Sequence, residues 1–222
     1  SKILFRDSLN LWNADGTLMA FICPSMPDTM RKTLFSKLQG CFNGVNIFKN
    51  KMGDPEEDKS ECPFSTVLFS WWNRYGLTGV DAPANVHPHY LQANGHAINF
   101  TQCLPYPDKD MFQHEQLYLN IQTTFQKEFE WIEAVLRRAF PEEHQVLVEL
   151  VKLLPGKADS PVVPFLSLVL NVNISTLAHR DDKDLTLCLV LPIGEFVGGG
   201  LVLAEQGLVI EAMNGDLLAF CS

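Results

Sequence analysis

The sequence lacks several features that would assign the chain to a specialised class of protein. Its 222 residues contain no apolar run near the roughly 18 residues that a membrane-spanning helix needs. The N-terminal stretch SKILFRDSLNLWNADG carries charge within its apolar part, so it resembles an internal start rather than a signal peptide. The six cysteines include no C-x-x-C pair, and we expect free thiols in a reducing compartment. These absences favour a soluble globular protein that does not associate with a membrane.

The chain also lacks the excess of positive charge that most nucleic-acid-binding proteins carry. Its formal net charge is -9, whereas neutralisation of phosphates supplies most of the affinity for nucleic acid. Cations are concentrated in one acid-free run, which contains Arg31, Lys32, Lys37, Lys49 and Lys51. For this run we favour a solvated helix face over a contact with nucleic acid.

The first part of the chain mixes short strands, helices and polar loops. Leu18 to Ile22 predicts a short strand, and Pro27-Asp28 predicts the start of a helix that runs to about Leu38. The polar residues 53–63 predict a loop, and residues 76–110 predict a surface segment rich in Gly, Pro, Asn and His.

The clearest helical pattern runs from Met111 to Phe140, and Pro141 separates it from a second helix over residues 142–154. The apolar residues that recur at helical spacing are Phe125, Phe129, Ile132 and Leu136. The polar residues expected to point elsewhere are Lys127, Glu128, Glu133 and Arg137. We therefore predict that the aromatic stripe belongs to the core and holds no cofactor.

After Pro164 the sequence changes to short β-rich runs separated by Gly, Asn and Asp. The runs are PFLSLVLNVNI, DLTLCLVLPI, GLVLAE, GLVIEA and DLLAFCS. Short strands at this spacing are typical of a sandwich or barrel, and preceding helices are expected to pack outside it. We therefore predict an α+β fold with a double-stranded β-helix (jelly-roll) core. It is expected to form a single domain over 1–222, with a helical and loop-rich part over 1–160 and the β-helix core over 161–222.

One short motif, the H-x-D formed by His179, Arg180 and Asp181, has the composition of a metal site. In extended backbone, residues two apart point to the same side, so an imidazole and a carboxylate can bind one metal ion together. With a second His they form a facial triad, which leaves positions for substrate and oxygen and suits non-haem Fe(II). An isolated H-x-D is more often a surface turn, but strand-like runs on both sides favour the metal site.

Several blocks of sequence together resemble a known family. The specific ones are NVNISTLAHRDDKDLTLCLVLPIGEFVGGG and GLVIEAMNGDLLAFCS, and the looser ones are FSWWNRYGLTG, VHPHY, FEWIEAVL and LLPGKADSPVVPF. The chain from about Phe64 onward thereby resembles the TET/JBP-type dioxygenases of DNA, which depend on Fe(II) and 2-oxoglutarate, in their basidiomycete fungal branch. The resemblance implies a single dioxygenase domain that oxidises the methyl group of 5-methylcytosine, with thymine or N6-methyladenine as the substrate of some relatives.

The resemblance also implies roles for individual residues. His179 and Asp181 would hold Fe(II), with 2-oxoglutarate and O2 as co-substrates, and Arg180 occupies the variable middle position. Asp184 stands where animal members carry an amide that helps to hold the flipped cytosine. Its carboxylate would accept a hydrogen bond from an exocyclic amino group, although a solvated acid at the start of a strand explains it equally well.

The family pattern contains two further residues that this sequence does not show. A second iron-binding His and an Arg for the far carboxylate of 2-oxoglutarate follow the strand that corresponds to GDLLAFCS, and neither occurs before Ser222. We therefore expect the sequence to be a C-terminally incomplete version of a longer protein. The other interpretations are a distal ligand from upstream, such as His87, His89 or His96, and a pseudoenzyme.

Two other groups of residues are weaker candidates for a site. Trp71, Trp72 and Arg74 combine aromatic surface with a cation, which suits stacking on a flipped base. Adjacent tryptophans are also a common core anchor, and we place that interpretation slightly ahead. The histidines of VHPHY match no compact zinc module and are expected to be structural or surface residues.

The predicted function is oxidation of methylated DNA, for which the base must leave the stack. The nucleus is the expected location because of this substrate. One alternative is an oxygenase that acts on a protein side chain, which the acidic net charge would suit. The other is a catalytically dead module that binds DNA or chromatin, which the missing distal His would suit.

Overall fold

The structure, a computed structural model, describes residues 2–3, 7–44, 65–72, 105–154, 160, 162–174 and 187–221. The chain divides into two compact units, one formed by Ser1–Asn43 with Ser175–Ser222 and the other by Gly44–Ile174. The prediction of one domain over 1–222 stays a prediction. No helix within the described ranges is long and apolar enough to cross a membrane.

The described residues form both strands and helices, and the α+β class predicted from the sequence is confirmed. The strands are β1 (Lys2–Ile3), β2 (Leu9–Trp12), β3 (Leu18–Cys23), β4 (Ser65–Trp72), β5 (Tyr106–Pro107), β6 (Ser167–Val172), β7 (Leu187–Val190), β8 (Leu201–Leu203), β9 (Leu208–Ile210) and β10 (Leu217–Cys221). The helices are α1 (Asp28–Arg31), α2 (Leu34–Cys41), α3 (Lys109–Gln113), α4 (Glu115–Thr124), α5 (Gln126–Ala139) and α6 (Pro141–Val151). The strand predicted at Leu18 to Ile22 and all five β-rich runs after Pro164 are present.

The first unit contains two sheets, with strand orders β2-β3-β10-β7 and β1-β9-β8. β1 pairs with β9 in parallel, and the other neighbours are antiparallel. β10 therefore lies between β7, which precedes it by a few strands, and β3, which comes from the other end of the sequence. The larger sheet thus combines strands from the range 161–222 with strands from the helical and loop-rich range.

The two sheets of the first unit share one apolar core. Leu218 of β10 lies opposite Ile22 of β3 and Val190 of β7, and alternate residues of a strand point to the same face. Ile22 and Leu218 are buried together with Ile210 of β9, and Leu201 of β8 packs against them. Because Ile210 and Leu201 belong to the smaller sheet, the first unit is a β-sandwich.

The other face of the larger sheet is buried as well. Phe21 and Cys23 of β3 and Leu217 and Ala219 of β10 are all less than a tenth exposed. Leu187, at the start of β7, is 4% exposed. Strands buried on both faces have near-continuous apolar sequences, and this holds for β3 and β10 (LMAFIC and LLAFC), whereas β7, at the edge of the sheet, is half-buried after Leu187.

The helix predicted from Asp28 to Leu38 is two helices, α1 and α2. It begins where predicted, directly after Pro27, but it is interrupted at Lys32 and Thr33. The Thr33 hydroxyl donates to the carbonyl oxygens of Met30 (3.0 Å) and Thr29 (3.2 Å). Such hydrogen bonds from Thr to the preceding turn compete with the helical pattern, and the redirected α2 buries Leu34 completely.

The second unit contains a sheet of order β5-β4-β6 and the helices α3 to α6. β4 and β6 are antiparallel from Ser65 opposite Val172 to Ser70 opposite Ser167. The N-terminus of α3 covers the other edge of β4, because the Leu68 N–H donates to Asp110 Oδ2 at 3.1 Å. The predicted surface segment 76–110 falls outside the described residues as far as residue 104, and its end forms β5 and the start of α3.

The prediction of one helix from Met111 to Phe140 is wrong, because this range contains α3, α4 and α5. The chain leaves helical geometry at His114 (φ -122°, ψ 33°) and again at Phe125 (φ -98°, ψ 11°). A straight helix presents one apolar stripe. The breaks let α4 bury Leu117 and Ile121 while α5 buries Ile132 and Leu136.

The side chain of Glu128 in α5 is buried, contrary to the prediction from the sequence. The sequence predicts that it points away from the core, whereas its exposure is 0%. It lies on the same face of α5 as Ile132 and Leu136, at the spacing that brings helical residues together. Lys127 and Arg137 are exposed as predicted. The second helix is confirmed as α6, with Pro141 in its first turn, where proline is favoured.

Candidate functional site

The residues predicted to bind iron and the target base belong to one stretch, residues 175–186, which lies outside the described residues. We call this stretch the H-x-D segment, and its candidates are His179, Arg180, Asp181 and Asp184. Of the upstream candidates, Arg74 also lies outside the described residues, whereas Trp71 and Trp72 belong to β4. The structure therefore describes the strands before and after the H-x-D segment.

Two strands flank the H-x-D segment. β6 ends at Val172 before it, and β7 begins at Leu187 after it. Asn173, just beyond β6, has a positive φ of 55°, which turns the chain out of the extended conformation. The boundary between the two compact units falls between Ile174 and Ser175. The H-x-D segment thus follows the last strand of the second unit and leads into β7 of the first.

The end of β6 carries a polar pair that the sequence analysis did not single out. The Thr66 hydroxyl on β4 donates to Asn171 Oδ1 on β6 at 3.1 Å, and the two residues lie opposite each other in the sheet. Ser167, Val169 and Asn171 are exposed in alternation with half-buried neighbours. The signal in the sequence is the alternation in SLVLNV, where every second residue faces solvent.

A second polar contact joins β4 and β6 at the opposite end of the pair. The hydroxyl groups of Ser70 and Ser167 lie 2.5 Å apart across the β4–β6 pair. Ser70 is 1% exposed, and a buried hydroxyl is favourable only when it is hydrogen-bonded. The strand that leads into the H-x-D segment is therefore held in register by a hydroxyl pair at one end and a hydroxyl–amide pair at the other.

The tryptophans of β4 lie at the end of that strand that pairs with β5. Trp71 is opposite Pro107 and Trp72 is opposite Tyr106. The backbone N–H of Trp71 donates to the carbonyl oxygen of Leu166 at 3.0 Å. Trp71 is half-buried, so it is neither a fully buried core anchor nor a fully exposed stacking surface.

Within the described ranges, no group of three or more His, Cys, Asp and Glu side chains is arranged to hold a metal ion. One pair of such side chains is in contact, His144 Nε2 of α6 and Glu133 Oε1 of α5, which lie 3.3 Å apart. The upstream histidines considered as distal ligands, His87, His89 and His96, lie outside the described residues.

The acid-free basic run is only partly the solvated helix face that the sequence predicts. Arg31 donates from Nη1 to Asp216 Oδ1 at 2.8 Å, and its side chain is 22% exposed. Lys32 is exposed and Lys37 is half-buried, while Lys49 and Lys51 lie outside the described residues. Arg31 thus belongs to an internal ion pair, and its charge is largely neutralised within the first unit.

A comparison of the chain with protein-family models, with curated proteins and with solved structures found no match. The likeness to TET/JBP-type dioxygenases stays a prediction from the sequence. The case for a site therefore depends on the H-x-D motif and on the strands that flank it.

Proposed function

We propose that the protein is an Fe(II)- and 2-oxoglutarate-dependent dioxygenase that oxidises the methyl group of 5-methylcytosine in DNA. The observation that carries the proposal is the place of the H-x-D motif in the sequence, where His179 and Asp181 follow β6 and precede β7. Extended backbone around an H-x-D motif lets its imidazole and carboxylate point to the same side, where they can bind one metal ion together.

The winding of the strands supports a jelly-roll core for this enzyme. The chain passes from β7 in the larger sheet to β8 and β9 in the smaller sheet, and then returns to β10 beside β7. Strands that cross between facing sheets and return beside an earlier strand are typical of Greek-key sandwiches and jelly rolls. Among the described strands, β7 and β8 lie at sheet edges, where a complete jelly roll has room for further strands.

The chemistry of the donor set fits iron. His179 would supply an imidazole nitrogen and Asp181 a carboxylate oxygen, and this combination with a second imidazole forms the facial triad of non-haem Fe(II) enzymes. Iron and 2-oxoglutarate, when bound, supply the oxidising power for the attack on a methyl group. We assign no residue as the third protein ligand.

The remaining candidates would act on the substrate. The carboxylate of Asp184, close to the ligands in sequence, would accept a hydrogen bond from the amino group of a flipped cytosine. The cations of Arg74 and Arg180 suit phosphate contacts, which set the register of the DNA without reading its sequence. Trp71 and Trp72 would add aromatic surface for stacking.

The experiment that tests the proposal uses the full-length protein. It is incubated with ferrous iron, 2-oxoglutarate and duplex DNA that contains 5-methylcytosine, and the nucleosides are then identified by mass spectrometry. We expect oxidised 5-methylcytosine from the wild type. The variants H179A and D181N should lose more than roughly 100-fold in turnover, since even outer-shell changes at metal sites cost about 10–100-fold. The matched control is D182N, which changes a neighbouring acid outside the motif.

Binding of ferrous iron, measured by anaerobic calorimetry, gives a readout that does not depend on turnover. H179A and D181N should weaken iron binding, and D182N should not. Unchanged 5-methylcytosine together with turnover on a peptide would contradict the proposed substrate and support the protein oxygenase. DNA binding without iron binding or turnover would support the catalytically dead module.

A further inference from the structure

We draw no further inference here: the strongest candidate, the exposed apolar surface at Gly194 where Phe35 of α2 lies close to Phe196 of the loop between β7 and β8, carries nothing because nothing in the structure shows what covers it.

Discussion

Replacement of Arg31 by methionine removes the guanidinium group that holds α1 against the turn between β9 and β10. Nη1 donates to Asp216 Oδ1 (2.8 Å) and to the carbonyl oxygen of Asn214 (2.5 Å), and Nη2 donates to the carbonyl oxygen of Pro24 (2.7 Å). The side chains of Arg31 and Asp216 are 22% and 5% exposed. Methionine keeps an apolar stem of similar length, but it leaves the Asp216 carboxylate without its cation.

The cost of this substitution follows from the burial of the pair. Loss of one partner of a buried ion pair costs about 3–5 kcal/mol. Arg31 retains some contact with water, so we expect R31M to lower the free energy of unfolding by about 2–3 kcal/mol. Asp216 Oδ2 still accepts a hydrogen bond from the Met213 N–H (2.8 Å). In the R31M background the Asp216 carboxylate has lost the Arg31 cation, so D216N removes a charge that is no longer compensated by Arg31. We therefore expect D216N to lower the free energy of unfolding by at least about 1 kcal/mol less in R31M than in the wild type.

Equilibrium unfolding in urea, followed by circular dichroism, gives these free energies. Hydrogen exchange at the amides of β10 shows whether the loss is located in the first unit. The control is K32M, which removes an exposed cation next to Arg31 and should change stability by no more than about 0.5 kcal/mol. If R31M were as stable as K32M, the ion pair would not hold the turn and the reasoning would be refuted.

Three further predictions concern the first unit. Gly215 (φ +81°) and Gly16 (φ +85°) have similar backbone, but a methyl group on Gly215 would lie 3.1–3.2 Å from three side chains and one on Gly16 would meet nothing within 4 Å. Thermal melts should therefore show G215A to be less stable than G16A, by about 1–2 kcal/mol. Equal losses of stability would show that the side chains around Gly215 move to make room for the methyl group. L218A removes a side chain at the centre of the sandwich, and urea unfolding should show a loss of about 3 kcal/mol, whereas a loss below about 1 kcal/mol would argue against a shared core. The hydroxyl and backbone N–H of Thr17 both donate to Asp15 Oδ1, and these bonds hold the pKa of that carboxyl below its ordinary value. Their stabilisation is present above the ordinary pKa and is lost as the pH falls through the lowered one. In an NMR titration, T17A should raise the pKa of Asp15, and an unchanged value would assign the shift to another cause.

The strands after Pro164 can be predicted from the sequence because each is short and is separated from the next by turn residues. Gly207 separates β8 from β9, and Gly215 with Asp216 separates β9 from β10. Local backbone preference and tertiary packing agree at these positions, which is the condition under which pattern-based prediction succeeds.

The pairing of strands that are distant in the sequence cannot be predicted in the same way. Leu218 lies opposite Ile22, almost the whole chain apart, and no local pattern indicates which apolar strand pairs with which. Because β3 and β10 are buried on both faces, alternation along either strand does not indicate their register, which only the assembled sheets define. The burial of Glu128 could not be predicted for a similar reason: a local pattern marks a carboxylate as polar, but the packing around the helix decides whether it is buried.

The candidate site was predictable as a motif and as a position between two strands. The β-rich runs on either side of the H-x-D motif correspond to β6 and β7, while His179 and Asp181 as ligands stay a prediction from the spacing. A third ligand, which the proposed iron site requires, would have no such signal, because a residue from a distant strand is brought close by the fold and not by spacing in the sequence. Likewise, the Thr66–Asn171 pair joins residues from two strands that are adjacent only in space.

The place of β3 beside β10 has a practical consequence for anyone who expresses part of this protein. A fragment that starts at residue 161 would contain the H-x-D segment and the later strands, but β10 would lose its neighbour along Leu217 to Phe220. An uncovered apolar edge of this kind recruits other chains, and the fragment would also lack Ala20 and Ile22 from its core. Such a fragment should aggregate, so attempts to isolate the half that contains the H-x-D segment must keep the first 43 residues with it.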